Sequence, residues 1–287
     1  MCDRNDNPRN QDPRQAMVSA LFDIENYLSG SLLIAVFVLC SMGGLIAIRR
    51  WFDLEQLRPY HDVAGNMFAV GGTLYAVLLG LVVVDAMGTF QTARSTVEKE
   101  ADALANVFLL AAQLPTEKAT LIQSLCGSYA AEVVDHEWPM MDQGKIHKEA
   151  LHLSLRLMRE VSDFEPTSEN QKAIYPVLLQ QVLDQRDERR MRTSIALHGL
   201  PAIEWLVLCV GAVITIVFTY FFRLESYRAQ LAMTGMVSLL IALNLYLVAL
   251  FGTPFSGDLR VHSEPFKADL KSFGGLNDID KNIGQPD

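Results

Sequence analysis

Asp135, His136 and Glu137 stand side by side ahead of Trp138-Pro139, with Asp142 close behind. All three are metal-ligand types. A metal needs donors that converge, from i and i+4 of one helix or from several elements. Neighbours on a helix point about 100° apart, so the run reads as structural rather than as a metal centre. A second group, Glu98, Glu100 and Asp102 with Asp85 upstream, offers the oxygen donors that a hard cation such as calcium takes. The same residues suit a solvated helical face, and they stand as a weak candidate cation site. No HExxH, GxSxG, phosphate-binding loop or dinucleotide fingerprint occurs. Catalysis is not indicated, and no metal or cofactor is expected. The four cysteines (Cys2, Cys40, Cys126 and Cys209) form no CxxC pair and support neither a disulfide framework nor a zinc knuckle.

The most specific pattern is apolar: Gly72-Thr73-Leu74-Tyr75-Ala76-Val77-Leu78-Leu79-Gly80. Gly72, Ala76 and Gly80 fall at i, i+4 and i+8, a strip of small side chains down one helical face. Such strips let membrane helices approach closely. The strip suits internal packing, and it equally suits a helix that crowds around an axis with its symmetry mates or lines a narrow pore. On the second reading Gly72, Thr73, Ala76 and Gly80 lie along the pore face, with Tyr75 at a constriction. Gly211 and Ala212 give weaker support further along the chain, and Asn244 reads as interhelical glue.

A strip of this kind has to be carried by a membrane helix, and four stretches qualify. No charge interrupts Asn26 to Ile48, Val63 to Val84, Trp205 to Phe222, or Ala229 to Gly257. About 20 apolar residues cross roughly 30 Å of hydrocarbon as a helix, and runs this long satisfy their backbone as helices rather than as barrel strands. The first reads as a permanent anchor, because it follows a polar segment with Asp23 and Glu25 and exceeds the apolar core of a signal peptide. The expected class is therefore an all-α membrane protein with four transmembrane helices in two pairs. Residues 1–26 form a polar tail, 27–84 the first pair, 85–204 a soluble helical region, 205–257 the second pair and 258–287 a C-terminal tail. From Gly274 onward that tail is expected to be unstructured.

Charge follows the same division. Of the net −9, the central region holds the largest share, with 18 acidic residues against 12 basic. That acidity argues against nucleic acid or anionic lipid as its partner. Orientation does not follow from charge. The short loops carry Arg49, Arg50, Arg58, Arg223 and Arg228, while Arg186, Arg189, Arg190 and Arg192 precede span three on the other side.

Within the central region, Val97, Ala101, Leu104, Phe108 and Ala111 form a helical stripe that continues out of span two and stops at Leu114-Pro115. A second stripe, Leu121, Leu125, Tyr129 and Val133, is predicted to end at Trp138-Pro139, where the residue before proline is pushed from helical geometry. A third helix is predicted over Lys145 to Val161. Ser168 with Gln171 reads as a capping box opening a fourth, which runs through Pro176 into the charged stretch Asp184 to Arg192.

The spans themselves hold no Asp, Glu, Lys, Arg or His. A proton-coupled carrier needs an ionisable group at membrane depth. A passive pore does not, since hydrophobic constrictions gate by dewetting and backbone dipoles ease anions through.

Gly71 to Val84, followed by Phe90-Gln91 and Ala93, resembles the signature of a bacterial bestrophin-like family. Glu137-Trp138-Pro139 with Gly144, and Pro254-Phe255-Ser256-Gly257, resemble its other landmarks. The resemblance implies a four-span subunit with a helical region between spans two and three. By extension from bestrophins it implies a multi-pass protein of the bacterial inner membrane with cytoplasmic termini and central region. It further implies a homo-oligomer in the lipid bilayer that conducts chloride or other small anions. Two other classes fit the same residues. One is a non-conducting scaffold or sensor whose central helices dock a soluble partner. The other is a stator-like subunit, which would need a partner helix bearing the acidic residue these spans lack.

Overall fold

A computed structural model of the chain describes residues 13–51, 61–221, 226–257 and 259–283. The first twelve residues with Cys2, most of the first short loop with Arg58, and Arg223 of the second loop lie outside the described residues. Everything regular among the described residues is helical: α1 (Pro13–Trp51), α2 (His61–Ala111), α3 (Thr116–Glu132), a π turn (Val133–Glu137), α4 (Trp138–Met141), α5 (Lys148–Ser162), α6 (Glu169–Leu197), α7 (Ala202–Phe221), α8 (Tyr227–Phe251) and α9 (Glu264–Ile283). The chain forms two compact units, one of residues 1–84 with 202–250, the other of 85–201 with 251–287. Helix α2 runs unbroken through the boundary at Val84 and contributes to both.

The first unit contains stretches of α1, α2, α7 and α8 that are long and apolar enough to cross a membrane. Its outer surface is hydrocarbon: Leu33, Leu39, Leu74, Leu81 and Leu240 are each more than 60% exposed. Water would penalise such a surface, whereas lipid tails are its natural solvent. The interior is smaller and more polar. Ser41 on α1 bonds Ser238 on α8 at 2.5 Å, and the Tyr220 hydroxyl on α7 donates to the Ser41 carbonyl at 2.7 Å. Thr219 meets Thr234 at 3.3 Å, and Arg49 reaches Gln230. Hydrogen bonds between small side chains hold these helices where lipid offers no hydrophobic drive.

The second unit has an ordinary apolar core. Val97, Ala101, Leu104, Phe108 and Ala111 of α2 are all buried in it, together with Ile122, Leu125 and Tyr129 of α3, Leu157 and Val161 of α5, and Leu178 and Val182 of α6. The predicted capping box is present. Gln171 N–H donates to Ser168 Oγ at 3.2 Å while Ser168 N–H donates to Gln171 Oε1 at 3.2 Å. Pro176 lies inside α6.

Two expectations are corrected. The second central helix does not end at Trp138-Pro139. The chain passes through the π turn, whose wider winding accommodates an inserted residue, and Pro139 then sits in the first turn of α4. The chain turns instead at Gly144, whose φ of 66° belongs to the left-handed region. The tail from Gly274 is also not unstructured up to Ile283, because α9 includes it. Phe266 and Phe273 of α9 enter the core, the latter stacked on Phe108 with centroids 4.1 Å apart. That anchoring overrides the low helix propensity of Gly274-Gly275.

Candidate functional site

Helix α2 presents two different faces within the first unit. Tyr75 and Leu79 point inward and are 7% and 5% exposed. The Tyr75 hydroxyl donates to the Leu208 carbonyl at 3.1 Å, and its ring occupies the space left by Gly211, where a Cβ would overlap it. Tyr75, expected at a constriction, is therefore packed against α7. The reason is pairwise: a large ring on α2 needs a glycine opposite, and Gly211 supplies it.

The small strip lies on the adjacent face, beside Tyr75 and Leu79. A Cβ added at Gly72 or Gly80 would meet nothing within 4 Å, and Ala76 and Gly80 are exposed. The chain's own helices do not close over Ala76 and Gly80. Beside it lies a cavity of about 490 Å³ lined by Gly72, Thr73 and Ala76 of α2, Thr215 of α7, and Leu240 and Asn244 of α8. A second of about 480 Å³, on the far side of Tyr75, is lined by Leu74, Leu78, Val207 and Gly211. Polar groups in the first are already committed locally. Thr73 Oγ1 donates to the Ala69 carbonyl at 2.6 Å, and Asn244 Nδ2 to Leu240 at 2.9 Å. Asn244 thus bonds its own helix, in place of the interhelical role expected of it.

Glu100 diverges from Glu98 and Asp102, as a residue two places away on a helix must. Glu98 is exposed and pairs with Arg94 at 3.1 Å. Asp102, four residues on, is exposed along the same face. Glu100 is fully buried and belongs to a different site. Asp85 is exposed, and among the described residues no three His, Cys, Asp or Glu side chains converge as metal ligands.

That different site is a buried ion cluster. Arg192 of α6 donates from Nε to Glu100 Oε2 at 2.6 Å, from Nη2 to Glu100 Oε1 at 3.0 Å and from Nη2 to Glu137 Oε2 at 2.8 Å. Arg189 completes Glu137, and the Tyr129 hydroxyl donates to Glu100. The guanidinium of Arg192 lies 5.4 Å from the Trp138 ring and 5.9 Å from that of Phe266. Two carboxylates and two guanidinium groups balance to zero. Burial alone would lower the pKa of Arg192, but the charges of Glu100 and Glu137 outweigh it and hold the group protonated well above its ordinary value. Burial, and then the charge of Glu100, push the Tyr129 hydroxyl well up, so it remains a donor. The cluster ties α2, α3, the π turn and α6 together. It contains no nucleophile–base pair.

Arg189 and Arg192 are what sequence reading missed. In the sequence they stand within the charged stretch Asp184 to Arg192. A signal existed: Leu178, Val182, Gln185, Arg189 and Arg192 follow at spacings of four, three, four and three, and all are buried. Arg192 therefore falls on the core face of α6, where a charge is tolerated only with partners. The Asp-His-Glu run divides as its spacing implied. Glu137 points inward to the arginines, while Asp135 and His136 are exposed.

A family model described as the bestrophin-like domain matches residues 35–266. The chain belongs to the bestrophin-like family. Among solved structures, one single-substitution variant of a bacterial bestrophin homologue from Klebsiella pneumoniae aligns with a TM-score of 0.65 at 14% identity. It covers 89% of this chain and 99% of that one. The same homologue solved by Zn-SAD phasing aligns with a TM-score of 0.63 at 16% identity, covering 85% and 98%. At such identities the likeness is one of fold. No curated protein matches the chain. The landmarks of this bestrophin-like chain now have physical places. Glu137 and Trp138 wall the ion cluster, and Trp138 Nε1 donates to the Val261 carbonyl at 3.3 Å. Phe255 meets the Trp138 ring edge-on at 5.8 Å. Gly257, with a φ of 84°, allows the turn after Phe255, and Val261 N–H returns to the Pro254 carbonyl at 2.8 Å.

Proposed function

We propose that this bestrophin-like membrane protein is a passive anion channel built from several copies of the chain, with the small strip of α2 turned toward the shared axis. Family membership over residues 35–266 carries the reading. Two features of the chain support it. Ala76 and Gly80 of the strip are left uncovered by the chain's own helices, and a symmetry mate or an ion path would use that space. The spans also hold no Asp, Glu, Lys, Arg or His, the groups a proton-coupled carrier uses at membrane depth. The central region and termini are assigned to the cytoplasm of a bacterial inner membrane, and small anions such as chloride are the permeant class. No enzymatic activity is assigned.

The test is a planar-bilayer recording of purified protein. The current reverses near the chloride equilibrium potential, and a pH step on one side moves that reversal little. Protein that passes no current under any chloride gradient would refute the channel and leave the docking scaffold.

A further inference from the structure

Asp269 is an anomaly in the second unit. It lies on α9 between the two core aromatics, Phe266 and Phe273, and its Oδ2 is buried without a hydrogen-bond partner. Asp269 is half-buried, and its Oδ2 is cut off from water with no partner in its place. What faces it makes matters worse. From α2 the charge of Asp102 acts on it, and from α3 it faces the buried thiol of Cys126. The nearest ionisable group of the π turn that points inward is Glu137, and its charge is already taken by Arg189 and Arg192. No cation among these offsets Asp269. Other described contacts of α9 are satisfied: Phe273 stacks on Phe108, Phe266 packs on Tyr129, and Lys267 pairs with Glu264 at 2.9 Å.

We propose that α9 is a proton-responsive clamp, docked most firmly on the helical core when Asp269 carries a proton and loosened when Asp269 and Asp102 are both ionised. A protonated Asp269 puts no charge into the core and faces Asp102 without repulsion. Burial, and then the charge of Asp102, push Asp269 up to about 7 from the ordinary 3.8. The docked form therefore binds the proton more tightly than the released form, so docking weakens as pH rises from about 4 to about 7 and is level above that. Between pH 7.5 and 6.0 the full shift corresponds to roughly eightfold in the docking equilibrium. Partial exposure of the side chain screens part of this, and a change of about threefold or more is expected.

The test is amide hydrogen exchange over residues 264–275 of the full chain in detergent, corrected for intrinsic exchange, at pH 6.0 and 7.5. Wild-type protection should rise about threefold or more on acidification. Asp269→Asn, which keeps a donor without the charge, should be protected at both pH values at least as well as wild type at pH 6.0. Asp102→Asn is an exposed and structurally mild change. It should raise protection at pH 7.5 and shrink the pH response. Wild-type protection that does not change with pH would overturn the proposal, as would Asp102→Asn that leaves the response intact. Addition of 1 mM calcium at pH 7.5 should have no effect. Calcium-dependent protection that Asp269→Asn abolishes would show a shared cation in place of a shared proton.

Discussion

Removal of Arg192 is the most exacting test of the ion cluster. In Arg192→Met, an apolar side chain matching only the aliphatic stem of arginine removes the guanidinium and its charge. Three charge-assisted hydrogen bonds are lost, at 2.6, 3.0 and 2.8 Å. Each contributes about 1.5–3 kcal/mol, a gross loss of roughly 4–9 kcal/mol. Against this, folding no longer dehydrates the guanidinium, which itself costs several kcal/mol. Glu137 keeps Arg189, but Glu100 keeps only Tyr129 and has no exposed surface through which water could return. Breaking a buried pair on one side in this way costs about 3–5 kcal/mol. Read as amide protection in α3 and α6 of the full chain in detergent, that is a loss of about 150- to 5,000-fold. Arg190→Ala, at an exposed neighbour, should stay within about 0.5 kcal/mol. Adding Glu100→Gln to Arg192→Met restores neutrality, so the double variant should recover about 1.5 kcal/mol or more relative to the sum of the singles. The reasoning fails if Arg192→Met loses less than about 1 kcal/mol, or if the two changes simply add.

Three further outcomes are expected. Gly80→Leu and Ala76→Leu should abolish the oligomer in mild detergent while leaving the monomer's secondary structure intact, because the added volume enters space this chain does not fill; Leu78→Ile should preserve assembly, and equal behaviour of the three on size exclusion would refute the assignment of the strip. Tyr75→Ser should destabilise the first unit by about 3–5 kcal/mol in thermal melts through the cavity it opens against Gly211 and Leu208, and it should not raise the bilayer current as opening a constriction would. A cysteine introduced at the exposed Ser128, in a background without native cysteines, should react in intact cells only with a membrane-permeant reagent; labelling by an impermeant one would invert the assigned topology.

The membrane class, the four spans and most helix limits were written in local sequence. Uninterrupted apolar length decides what crosses lipid, and the capping box of Ser168 and Gln171 is a contact between residues three apart. The inward stripe of α2 was legible for the same reason, since 3.6-residue periodicity needs no knowledge of the partner. What tertiary structure decided concerns partners distant in the chain. Tyr75 points inward only because Gly211, far along the sequence, lacks a side chain to exclude it. Glu100 is buried only because Arg192 arrives from α6, 92 residues away, to carry its charge. Trp138-Pro139 fails to end a helix because the π turn ahead of it carries Glu137 to the arginines. A terminal segment rich in glycine and aspartate becomes α9 because two phenylalanines find a core. A charge or a ring in sequence states what it requires, and only the fold supplies what meets that requirement.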